Sequence, residues 1–247
     1  MPASRLKRRL EAAVAAAGPK PPDSASAPKK KNYNQQLSDE VALALAAELR
    51  DLGMSDTFPQ VSTPGGSRKS GSERRIAGGI GAKKVDVTWA TPESGLLFAV
   101  SVKSIMFKDG KSGNFQKNLT NRRGDMLVEA VTLHRRFPYA VLVAFFILDI
   151  GAESDGTARR NSTFENAFPR LRLFTRRTEP TGREEQFERF LMILLDVNAS
   201  PPTFRAYEVN DANVEVDLDV ALAEAISIVG DRNFDLYDAA NGRIKKL

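Results

Sequence analysis

The 247-residue chain carries 36 Lys and Arg against 31 Asp and Glu, 42% hydrophobic residues, a single histidine (His134) and no cysteine. That excludes disulfides, thiolate metal sites and multi-histidine centres, and it leaves apolar material for an extensive core in one large or two small domains. No run approaches the ~18 apolar residues of a membrane span, so the chain reads as a soluble cytoplasmic protein that engages no membrane. The net charge of +5 is unevenly placed: residues 1–36 hold eight Lys/Arg and two acids, and the remainder is about neutral. Attraction to phosphate would therefore come from local patches and the N-terminal tail.

Taken in chain order, residues 4–17 are basic, Ala-rich and compatible with a short helix, frayed or docked on a partner, and they lack a secretory apolar core. "GPKPPDSASAPKKKN" (18–32) has the composition of a linker. Ser38 then caps a helix whose Val41, Leu45, Leu49 and Leu52 form one stripe and which stops at Gly53. Residues 54–82 are rich in Gly, Ser, Thr and Pro; "GGIGAKK" lacks the Ser/Thr that a phosphate loop places after its lysine and runs into a strand. A mobile loop that closes on a polymer fits this stretch better.

Residues 84–90 and 96–105 read as two strands joined by "TPESG". A basic loop, "FKDGKSGNFQKNLTNRR", leads to a helix over about 122–136, capped by Thr120 or Asn121, with Leu127, Val131 and His134 on one face. "YAVLVAFFILD" has the pattern of a strand covered on both faces. Further on, Thr181 and Glu184 suggest a capping box before a helical "QFERFLMILLD"; "TFRAYEV" reads as a strand and 219–230 as an amphipathic helix. The order of elements predicts an α/β fold with helices flanking a mixed central sheet.

Two charges stand inside the apolar strands, Asp86 and Lys103. Alternation places Asp86 on a face with Lys84 and Thr88, and Lys103 on a face with Ser101, Ala99 and Leu97, so pairing of the strands brings the two charges together. A structural ion pair is one reading. The other is a hard-cation site, in which a carboxylate, a main-chain carbonyl and waters hold Mg²⁺, or Mn²⁺ in its place, and the lysine orients or deprotonates the attacking water beside a phosphodiester.

An acid on one strand, a turn, and a strand ending in "SVK", preceded by a helix and followed by helix and strand, resembles the PD-(D/E)xK nuclease superfamily over residues 38–150. The resemblance implies a restriction-endonuclease-like core (38–150) with a C-terminal elaboration (151–247) in a domain spanning 33–247, behind a flexible basic tail (1–32). It implies Asp86 as metal-binding aspartate, Lys103 as catalytic lysine and the Val102 carbonyl as a further metal ligand. It also implies a DNA endonuclease of restriction or phage defence, acting on double-stranded DNA as a homodimer or within a larger complex. Ser101 stands where the family has Asp or Glu, so either another acid enters the site or the chain is an impaired nuclease-fold subunit that binds nucleic acid or serves as a scaffold. Glu73 is the first choice for that acid, as both metal ligand and catalytic group. Glu40 and Glu48 are rivals, and Asp125 and Glu129 share a helical face, although a solvated surface charge is the ordinary role of each.

Gln116, Lys117, Asn118, Asn121, Arg122 and Arg123 concentrate phosphate and base donors downstream of Lys103 and are candidate substrate contacts. Six arginines over 159–177 interleave with Phe164, Phe168 and Phe174, a pattern that could grip and stack on nucleic acid but more often means core phenylalanines beneath surface arginines. His134 on an apolar helical face reads as a packed, hydrogen-bonded residue, and Trp89 as core.

Overall fold

The computed structural model describes residues 4–60 and 74–247. Helix α1 (Arg5–Ala17) starts where the Ser4 hydroxyl accepts the Lys7 N–H, and it buries Leu6, Leu10, Val14 and Ala17. It docks on the chain's own α2 (Ala27–Asp51), where Arg5 and Arg9 both grip Glu48. The helix expected from Ser38 thus begins at Ala27, and the stretch read as linker shrinks to the residues between the two helices. The apolar stripe explains the extension, since Tyr33 and Leu37 continue the buried face of Val41, Leu45 and Leu49 toward the N-terminus.

Strands β1 (Arg74–Gly78) and β2 (Gly81–Val85) make an antiparallel hairpin. Gly78 and Gly79 serve close packing on α3: a Cβ on Gly78 would lie 2.3 Å from the Thr132 side chain, and the Gly79 N–H donates to the Thr132 carbonyl at 2.8 Å. The chain bends at Asp86 and continues as β3 (Val87–Thr91), which turns through Gly95 into the antiparallel β4 (Gly95–Ile105). The outer edge of β3 is covered, because the Phe58 and Thr88 main chains exchange both hydrogen bonds.

After β4 come α3 (Leu119–Arg136), β5 (Val141–Asp149), α4 (Thr163–Leu171), β6 (Arg189–Asp196), β7 (Thr203–Glu208), β8 (Glu215–Val216) and α5 (Leu218–Arg232), and the short β9 (Tyr237–Asp238) and β10 (Lys245–Lys246) pair with each other. Six strands form one mixed sheet in the order β3-β4-β5-β6-β7-β8, parallel from β4 to β6 and antiparallel elsewhere. The helices α1, α2 and α5 cover one face; α3 and α4 cover the other. The mixed α/β sheet flanked by helices is therefore the architecture, and among the described residues no helix is long and apolar enough to cross a membrane.

The central strand β5 sends Val141, Val143, Phe145 and Ile147 into one core and Leu142, Ala144, Phe146 and Leu148 into the other. The same physics overturns the helix expected in "QFERFLMILLD". There β6 alternates Leu191, Ile193 and Leu195 against Phe190, Met192 and Leu194, and a continuous apolar run satisfies helical and strand spacing alike. Thr181 and Glu184 cap nothing; the true capping box is Ser162 with Glu165, at the start of α4. "TFRAYEV" holds β7 as expected, and α5 is capped by Asp217, whose carboxylate accepts the N–H groups of Asp219 and Val220.

Candidate functional site

Asp86 sits at the bend where the outer strand leaves the sheet. One of its carboxylate oxygens accepts the main-chain N–H of Val102 at 2.7 Å, a ladder bond supplied by a side chain where the neighbouring strand has turned away. In an extended strand the N–H and C=O of one residue point to the same edge, so the Val102 carbonyl faces the Asp86 side as well. The same carboxylate oxygen lies 3.1 Å from Lys103 Nζ. The expected convergence of Asp86 and Lys103 is thus present in the geometry. Leu97 departs from its expected face: β4 bulges between its pairings of Phe98 with Trp89 and Leu96 with Ala90, and Leu97 turns into the opposite core.

A third charge completes the cluster. Glu129, on α3, places Oε2 3.5 Å from Lys103 Nζ. Its side chain is 2% exposed, whereas Asp86 and Lys103 retain 17% and 15%. Burial raises the Glu129 pKa, with the ammonium of Lys103 acting against that and the charge of Asp86 adding to it. Burial alone would lower the Lys103 pKa, but the carboxylates of Glu129 and Asp86 outweigh it and hold the side chain as an ammonium. Ser101 is buried on the same strand face two residues before Lys103, and its hydroxyl has no hydrogen-bond partner among the described residues.

Glu129 enters the sequence reading only as one rival acid with a surface role, because the buried face of α3 is rotated from the one expected. The helix packs through Leu119, Met126, Ala130 and Leu133, while Leu127 is exposed. Glu129 lies within that stripe, and a carboxylate in the apolar face of a helix is the signal that would have found it. The other rivals are engaged elsewhere or set apart: Glu48 pairs with Arg5 and Arg9, Glu40 is buried away from the cleft, and Asp125 lies on the cleft wall 3.6 Å from Arg122. Glu73 falls outside the described residues.

The three charges open on a cleft of about 1130 Å³ between α2, the β1–β2 hairpin and the start of α3. Among the described residues lining it, nine are Lys or Arg and four are Asp or Glu, so its field suits a polyanion. Of the candidate substrate contacts, Lys117, Asn118, Asn121 and Arg122 line this cleft, Lys117 while paired with Asp109 at 2.6 Å. Gln116 and Arg123 do not. Gln116 Nε2 is buried, and Arg123 stacks over the Phe174 ring at 5.4 Å. The phenylalanines of 159–177 are core: Phe164 and Phe168 meet edge to face at 4.8 Å and pack on Tyr207, which leaves none to stack on bases.

No protein-family model, curated protein or solved structure matches the chain. The chemistry must be read from the cluster itself. Among the described residues no three His, Cys, Asp or Glu side chains gather as a ready metal cage. Two carboxylates bridged by an ammonium, with a main-chain carbonyl at the same edge, fit the sparse protein donor set of Mg²⁺, which keeps waters and takes substrate phosphate oxygens as ligands. They do not fit an all-protein Ca²⁺ or Zn²⁺ cage.

Proposed function

We propose that the chain is a divalent-metal-dependent nuclease with a restriction-endonuclease-like core, hydrolysing phosphodiester bonds in DNA. The observation that carries this reading is the meeting of Asp86, Lys103 and Glu129 at the edge of a cationic cleft. Asp86 and Glu129, with the Val102 carbonyl, would hold Mg²⁺ or Mn²⁺, which when bound supplies Lewis-acid polarisation of a phosphoryl oxygen and a water of lowered pKa. Lys103, kept charged by its two carboxylates, stabilises negative charge developing on phosphorus and positions the attacking water; as an ammonium it is not the base. In this scheme Glu129 takes the place that the resemblance gives to an acid at Ser101. The rigid strand pair and α3 hold these groups in place before substrate arrives. Restriction or phage defence, on double-stranded DNA and in a dimer or larger complex, is the setting that the resemblance suggests.

Supercoiled plasmid incubated with the protein and Mg²⁺ should be nicked or linearised, EDTA should stop the reaction, and Asp86→Ala or Lys103→Ala should abolish it while leaving the fold intact. Unchanged cleavage by either variant rejects the assignment. Ser101 favours a second reading, a nuclease-fold subunit that binds nucleic acid without cutting it, and wild-type protein that shifts duplex DNA but never nicks it in Mg²⁺ or Mn²⁺ would select that one.

A further inference from the structure

The end of the segment that reads as linker, with the helical turns that follow it, forms one wall of the cleft. Lys30, Lys31, Asn34 and Ser38 all line it from α2, at the spacing of a single helical face, and α2 contributes no acid to that lining among the described residues. This wall is fixed. Lys20 meets Asp149 at 2.6 Å, the Lys108 N–H donates to Asp23 at 3.3 Å, buried Tyr33 packs edge-on against Phe107, and the Ser38 hydroxyl lies 3.3 Å from that of Ser104, the residue after Lys103. From Lys30 to Ser38 the helix rises about 12 Å. One strand of a duplex carries a charge every ~3.4 Å of axis, so this stripe is long enough to run beside about three successive phosphates.

We propose that the N-terminal turns of α2, through Lys31 above all, grip the phosphate backbone of a DNA strand whose scissile bond lies at Asp86, Lys103 and Glu129. The inference rests on the nuclease reading and adds to it a second, positively charged wall opposite the hairpin and α3. Lys31 is exposed and has room to reach a phosphate, whereas Lys30 donates to the Asp23 carbonyl at 2.9 Å and holds the turn that starts the wall. Lys29 supplies an internal control: it is exposed on the same turn of α2 and does not line the cleft.

The test is binding of a fluorescein-labelled DNA duplex to the full chain in EDTA, followed by anisotropy over a salt series, so that cleavage plays no part. Lys31→Glu should weaken binding roughly tenfold at about 0.1 M salt, and Lys31→Ala should flatten the slope of log affinity against log salt by about 0.9. Lys29→Glu should change affinity by less than about twofold. Equal losses in the Lys31 and Lys29 charge reversals, or no loss in either, overturn the assignment of this wall and leave the nuclease reading standing. Wild-type protein that binds no duplex overturns the assignment of this wall, and the nuclease reading falls with it only where plasmid incubated with Mg²⁺ is also left intact. Thermal melts of all variants, expected to coincide with wild type, separate lost contact from lost structure.

Discussion

Two clusters of buried charge share the helix α3 and lie at opposite ends of the parallel strands. Near the C-terminal end of β4, Glu129 joins Asp86 and Lys103 beside an open cleft. At the N-terminal ends of β5 and β6, His134 joins Glu188, Arg177 and Arg232, with side-chain exposures between 0% and 5%. In the sealed cluster the carboxylate is fully engaged, although His134 Nε2, Arg177 Nε and Arg232 Nε and Nη2 have no hydrogen-bond partner among the described residues. Glu188 accepts from Arg177 at 3.1 Å, from Arg232 at 2.8 Å and from the Leu142 N–H at 2.7 Å, while His134 Nδ1 bonds the Glu184 carbonyl at 2.9 Å. Burial pushes the Glu188 pKa up, but His134 and Arg232 more than reverse it and the net shift is downward. In the cleft cluster burial prevails and the Glu129 pKa is raised. One carboxylate is satisfied by the fold, and the other is buried beside Lys103 at the edge of the cleft. Ligands in open α/β sheets also favour the carboxyl ends of parallel strands, the end where the cleft lies.

Mutations should separate the two clusters. The largest effect belongs to the cleft: Asp86→Ala or Lys103→Ala should lower plasmid cleavage by about three orders of magnitude or more, equivalent to at least ~4 kcal/mol of barrier, with a cooperative unfolding transition retained. Glu188→Ala should do the reverse. It strands two buried guanidinium groups, so chemical denaturation should show a loss of about 3–5 kcal/mol, with cleavage per folded molecule preserved. Stability lost in the first pair of variants but not in the second would break the comparison.

Glu129→Gln should have a smaller effect, on the order of a hundredfold in cleavage, or about 2.7 kcal/mol. It also carries a signature in pH. A carboxyl whose folded pKa is raised contributes stability that is complete below its ordinary value of 4.5 and lost as pH climbs through the raised value, because the native state holds the proton longer. Wild-type unfolding free energy should therefore contain a component that falls with rising pH over that window, while cleavage rises over the same window as the carboxylate ionises. Glu129→Gln should erase both slopes, as read by denaturant melts and initial rates across pH.

How much of this was legible in the sequence follows from how many spacings each segment satisfies. Strand β5 is apolar on both faces and flanked by turns, and α5 has one clear stripe, so both declare themselves. Strand β6 is equally apolar, but Phe187, Phe190, Leu191 and Leu194 also fit a helix, and only the sheet around them decides. Asp86 and Lys103 were conspicuous because charges inside strands are costly. Glu129 was legible only as one rival acid among several, because its burial depends on which way α3 rolls onto the sheet, a rotation fixed by Met126, Ala130 and Leu133 against the strands and not by the helix alone. The Lys31 wall was hidden for a related reason: proline and lysine composition suggests solvent, whereas Tyr33 and Leu37 anchor the segment to the core.

The most direct measurement is Mn²⁺ binding by electron paramagnetic resonance, made on the whole chain without nucleic acid. The account predicts a bound ion that Mg²⁺ displaces, lost in Asp86→Asn and weakened in Glu129→Gln. An ion bound equally by all three proteins, or by none of them, would contradict it.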